Sequence, residues 1–138
     1  MTKMTKTPEM TKINKIPERD LKKRTKAFAI SIVKLVDYIN KNGHAAAKVI
    51  GNRQLLRSGT SVAANYRAAC RCRSRKDFIS KINIVIEESD ETQFWLEILT
   101  ESGLIEFRLI KDLLQEAGEI TAIMTASKNS AISNRNKE

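Results

Sequence analysis

Five cationic side chains fall within ten residues of one another: Arg67, Arg71, Arg73, Arg75 and Lys76. Arginine at this density can contact several phosphates, because each guanidinium stays charged and offers a planar fork of donors to oxyanions. Arg67 and Arg71 stand four residues apart and stack on one face of a helix, while the other three cluster around a turn. Tyr66 is the one nearby aromatic residue, which argues against a base-stacking platform. Phosphate-dominated, shape-tolerant contact with little base readout is the chemistry this pattern suits. The same residues have a second reading, in which they pair with the acidic helix of a neighbour.

A second constellation is ionic. Arg53 and Arg57 are spaced i, i+4, as are Glu87 and Glu91, and Glu88 and Glu91 are spaced i, i+3. Arg53 and Arg57 are expected to meet Glu88 and Glu91 across two helices and fix their register. If such a pair is buried, removing one partner costs about 3–5 kcal/mol. Carboxylates alone make a poor case for metal, since bundle metal sites of the di-iron type add Glu-x-x-His motifs, and the single histidine, His44, sits in a turn. Cys70 and Cys72 point about 200° apart on a helix, so they form neither a local disulfide nor a shared metal site. Ser58, Ser61 and Cys70 have no histidine base within reach, so nucleophilic catalysis is not argued. The reading is therefore a protein without enzymatic activity, metal or cofactor.

The elements that position these residues are helices. The chain has 138 residues and only two prolines, Pro8 and Pro17, so nothing from Glu18 onward interrupts a helix. Residues 1–17 are Lys/Thr-rich and read as a disordered basic arm. A first helix is expected over Glu18–Lys41, with Phe28, Ile32, Leu35 and Ile39 on one stripe and Gly43 after it. A second covers Ala45–Arg73 through Leu55, Gly59, Val62, Tyr66 and Ala69. Its small residues cost helix propensity and imply close approach to a neighbour, with a break near Ser58–Ser61 as the alternative. Ser74 caps a third helix that runs to about Ser102 through Phe78, Ile82, Val85, Thr92, Leu96 and Leu99, and Gly103 stops it. A fourth spans Ile105–Ser127 through Phe107, Ile110, Leu114, Ala117, Ile120 and Met124, followed by a flexible polar tail over 128–138. Short connections between helices of this length make antiparallel neighbours, hence an all-α, up-down four-helix bundle over 18–127. The third helix's stripe is wide enough to suggest burial against other subunits.

Charge is segregated. The net charge is +9, but residues 48–76 hold eight bases and no acid, while residues 77–119 hold eleven acids and three bases. These blocks can pair within the fold or across subunits, or the basic block can face a polyanion. No apolar h-region follows the N-terminal MTKMTKTPEMTKINK, and the free thiols suit a reducing compartment, so a cytoplasmic protein with no membrane role is expected.

The stretch from Arg53 to Leu99 contains RQLLRSGTS, AANYRAA, SRKDFISK and EESDETQFWL. In these motifs it resembles the four-helix-bundle family of ribosomal-RNA intervening-sequence proteins. Two positions depart from the family pattern: Ala68 stands where glutamate is usual, and Glu87 where lysine is frequent. The resemblance implies a homo-oligomer, commonly a ring-like pentamer. It also implies kinship with the accessory protein of diversity-generating retroelements, which binds nucleic acid and a reverse transcriptase. Together these readings point to an oligomeric accessory protein that binds structured RNA or DNA through arginine patches and partners a nucleic-acid enzyme. The rival is a protein-binding scaffold whose basic and acidic helices pair internally.

Overall fold

The coordinates, a computed structural model, describe residues 18–137, so the basic arm expected over 1–17 lies outside them. Helix α1, Glu18–Asn42, buries Leu21, Phe28, Ile32, Leu35, Val36 and Ile39 along the stripe its 3–4 spacing sets up. After Gly43 and His44 the chain turns back into a second helical rod built of three parts. These are α2 (Ala45–Val49), a π-helical turn (Ile50–Leu55) and α3 (Leu56–Ala69). The small residues Ser58–Ser61 stay α-helical, and the departure from α geometry comes earlier, at Ile50–Leu55. There the buried Gly51 lies against Ile39 and Val36, and Asn52 exchanges two amide hydrogen bonds with Asn40 of α1, at 2.8 and 2.9 Å.

Gly59 explains why the second rod tolerates poor helix formers. A Cβ added there would stand 2.7 Å from Ile32 Cγ1 and 2.8 Å from Cγ2, so α1 and α3 touch through the missing side chain. Helix α4, Arg75–Glu101, begins at Ser74, whose side chain accepts the Asp77 backbone N–H at 3.0 Å. It buries Ile79, Ile82, Val85, Ser89, Thr92, Leu96 and Leu99 and stops at Gly103, the one described residue with positive φ, at 80°. Helix α5, Phe107–Lys137, runs ten residues past the expected Ser127, so residues 128–137 continue the helix where a polar tail was expected. Ala131, in that extension, is buried. Phe107, placed on the core stripe by spacing alone, is 54% exposed. It lies about 100° around the helix from the centre of the stripe that Ile110, Ala117, Ile120 and Met124 bury.

The four rods form an all-α fold with no strand among the described residues. None of its helices is long and apolar enough to cross a membrane. The core is aliphatic but threaded by hydroxyls. Thr92 Oγ1 donates to Ser58 Oγ at 2.9 Å between α4 and α3, and both side chains are fully buried. Ser89 and Thr121 share a hydrogen bond of 2.7 Å between α4 and α5. Buried hydroxyls cost free energy unless paired, so each pairing rewards one axial register of its helix pair.

Candidate functional site

The ionic constellation lies beside the Ser58–Thr92 bond. Arg57 of α3 donates to both oxygens of Glu88, at 3.0 and 3.1 Å, and also to Glu91. Trp95, one turn on, donates its indole N–H to the same Glu91 carboxylate at 3.1 Å. The Arg57 hydrogen bond, with the Trp95 bond assisting, holds the Glu91 carboxyl below its ordinary pKa against the opposing effect of burial. Arg53 takes no part: it is exposed and makes no bond to Glu88 or Glu91. In an antiparallel pair, one turn back along the second rod faces one turn forward along α4, where Thr92 and Trp95 stand instead of carboxylates. The Arg57 side chain is 47% exposed, so the fork is a surface clasp over a buried hydroxyl pair and not the buried ion pair that would cost 3–5 kcal/mol to break.

A stronger ionic link, which the sequence patterns did not single out, closes the bundle between α1 and α5. Arg24 donates to Glu116 at 2.7 and 2.8 Å and to Glu119 at 2.6 Å, and its side chain is only 17% exposed. The Glu116 hydrogen bond raises the Arg24 pKa, opposed by burial and helped by the remaining attraction of the two carboxylates. Four carboxylates on the acidic half of the chain, Glu88, Glu91, Glu116 and Glu119, are thus engaged by two arginines.

The five cations of residues 67–76 do not line a single cleft. Arg67 and Arg71 open onto a cleft of about 530 Å³ between α1 and α3, together with Lys22, Lys23, Lys26, Thr60, Ala63 and Ala64. Arg73 and Arg75 lie around the turn, lining a shallower cleft with Cys72, Ser74, Phe78, Ala131 and Asn134. Lys76 is exposed on the first turn of α4. The α1–α3 cleft carries five cations and no acid among its lining residues, and none of the five makes an ion pair among the described residues. Two of its cations come from the predicted run. The other three, Lys22, Lys23 and Lys26, were signalled only by their i, i+3/i+4 spacing, which puts them on neighbouring faces of α1. They meet Arg67 and Arg71 because the first turns of α1 run antiparallel beside the last turns of α3. The cleft floor is shallow in chemistry: the Thr60 hydroxyl already donates to the Leu56 carbonyl at 2.7 Å, and Ala63 and Ala64 add only methyl groups.

A family model described as 23S rRNA-intervening sequence protein matches residues 18–126. No curated protein matches the chain. Among solved structures it is similar to a protein of unknown function from the S23 ribosomal protein family of Bacteroides thetaiotaomicron. The two share 32% identity and a TM-score of 0.71, over 81% of this chain and 97% of that one.

Proposed function

Because the chain belongs to the 23S rRNA-intervening sequence protein family, we propose that it is a non-enzymatic accessory protein that binds nucleic acid through its basic clefts. The observation that carries this reading is the α1–α3 cleft, where Lys22, Lys23, Lys26, Arg67 and Arg71 converge without a carboxylate to neutralise them. Like charges brought together cost folding free energy, and an anionic ligand offsets that cost. The motif residues Arg57, Ser58, Glu88, Glu91, Thr92 and Trp95 have a sufficient role as the clasp between α3 and α4. They are therefore not needed as ligand contacts. Arg73, Arg75 and Lys76 at the adjoining turn extend the basic surface. Assembly into a ring-like homo-oligomer, a pentamer by family resemblance, would repeat the cleft and multiply a weak single contact by avidity. A nucleic-acid enzyme such as a reverse transcriptase is the protein partner in this reading.

The rival is a scaffold whose cations are consumed by acidic protein surfaces, and the exposed Glu87, Asp90, Glu97 and Glu101 of α4 favour it as an acidic docking strip on a second copy. Titration of the protein against structured RNA and duplex DNA at several salt concentrations separates the two. Binding that weakens steeply with salt, and weakens further in an Arg71/Arg73/Arg75 triple alanine variant, supports the nucleic-acid function. Absence of binding at low salt transfers the assignment to protein partners.

A further inference from the structure

We infer that the α1–α3 cleft takes an unpaired strand, with consecutive phosphates held between a lysine rail on α1 and a pair of arginines at the C-terminal end of α3. This rests on the nucleic-acid reading above and narrows it to a site and a substrate class. The cleft is a furrow between two packed helices whose axes lie about 8–10 Å apart. Its volume of about 530 Å³ is that of a small-molecule site, enough for one or two nucleotides. A duplex is too broad to enter, so its backbone meets such a furrow only along the rim, one side at a time. A single strand lies in the furrow and presents phosphate oxygens to both sides.

The lining agrees with the shape. Lys22 and Lys26 are one turn apart on α1, a rail of about 6 Å, and they face Arg67 in the last turn of α3 and Arg71 in the turn that follows it. The floor of Ala63, Ala64 and the internally bonded Thr60 offers no donor or acceptor array to read a base edge. No aromatic ring lines the cleft, which leaves the arginine planes as the surfaces on which an unstacked base can lie. The site therefore selects for strandedness and charge, not for sequence.

Binding is measured by fluorescence anisotropy with a labelled unpaired oligoribonucleotide and with an RNA duplex of equal length, over a series of salt concentrations. Three variants accompany the wild type: K22Q/K23Q/K26Q, the charge-retaining K22R/K23R/K26R, and K34Q/K48Q/K111Q, which removes three exposed cations elsewhere. Each phosphate contact to a single strand contributes about 0.7 to the slope of log K against log salt, hence about fivefold in affinity near 0.1 M. The lysine-to-glutamine cleft variant is expected to lose about fivefold in affinity for the unpaired strand and about 0.7 from its slope. The arginine variant retains binding, and the remote variant loses far less than the cleft variant. The wild type prefers the unpaired strand over the duplex. Equal affinity for duplex and single strand, or equal losses in the cleft and remote variants, overturns the assignment while leaving nucleic-acid binding intact. No binding of either probe at low salt overturns both.

Discussion

Replacing Gly59 with alanine tests how the α1–α3 contact, and with it the cleft, is set. In an exposed helix this change stabilises by about 1 kcal/mol, because alanine loses less backbone entropy than glycine. Here the new methyl arrives 2.7 Å from Ile32 Cγ1, 2.8 Å from Cγ2 and 3.0 Å from Cβ, with Ile32 and Gly59 both buried. The Cβ contact matters most, since a branch point moves only if the helix moves. Overpacking of this kind costs about 1–3 kcal/mol, and more when backbones must separate, so the net expectation is a loss of about 1–2 kcal/mol. For a chain of this size that lowers Tm by about 3–8 °C. The assay is urea denaturation followed by circular dichroism at one fixed protein concentration, so that any assembly contributes equally to all variants. Ile32→Ala, which removes both γ carbons, costs about 2–5 kcal/mol alone. Combined with Gly59→Ala it should cost less than the sum by about 1 kcal/mol, because the methyl then fills space that the isoleucine vacated. A Gly59→Ala protein at least as stable as wild type, with additive behaviour in the double variant, refutes the close-approach argument.

Four further outcomes follow from the ionic and hydroxyl links. Arg24→Ala leaves Glu116 and the nearly buried Glu119 facing each other without a cation, and thermal denaturation should show a loss of about 2–4 kcal/mol, with Arg24→Lys recovering part of it. Glu91, its folded pKa lowered first by the Arg57 hydrogen bond, contributes stability above its unfolded pKa and loses it as pH falls through the folded value. Stability of the wild type should therefore fall more steeply below about pH 4 than that of Glu91→Gln, and Arg57→Ala at neutral pH should cost about 1 kcal/mol, as exposed pairs do. Thr92→Val keeps the volume but removes the donor to Ser58, and chemical denaturation should report a loss of about 1–2 kcal/mol that the Ser58→Ala/Thr92→Val double variant partly restores.

Much of the fold was legible because its signals are local. Ser74 and Gly103 mark the ends of α4 by capping and φ chemistry that need no tertiary partner, and the 3–4 spacing of Ile82, Val85, Leu96 and Leu99 selects their buried face. The π-helical turn at Ile50–Leu55 was not legible, since no local residue spacing marks where i, i+4 bonding gives way to i, i+5. Nor was the helical state of residues 128–137: their polar composition resembles a tail, while the burial of Ala131 ties them to the bundle. At the candidate site the sequence pointed to Arg67 and Arg71, but it grouped them with Arg73, Arg75 and Lys76, their neighbours along the chain. Their neighbours across the cleft are Lys22, Lys23 and Lys26. Proximity of that kind depends on which turn of α1 faces which turn of α3, and Gly59 sets that approach from a position with no charge pattern at all. The Arg57 clasp was recoverable from carboxylate spacing, whereas the exclusion of Arg53 follows from helix direction and needs the register.

Whether the cleft cations neutralise phosphates is read from the salt dependence of RNA affinity in the wild type and in Arg67→Gln/Arg71→Gln. With two phosphates held in the cleft, log K should fall with log salt at a slope of about −1.4, and the double variant should show a slope shallower by about 0.7. A slope near zero, or one that the double variant leaves unchanged, contradicts the account and returns these arginines to contacts with protein.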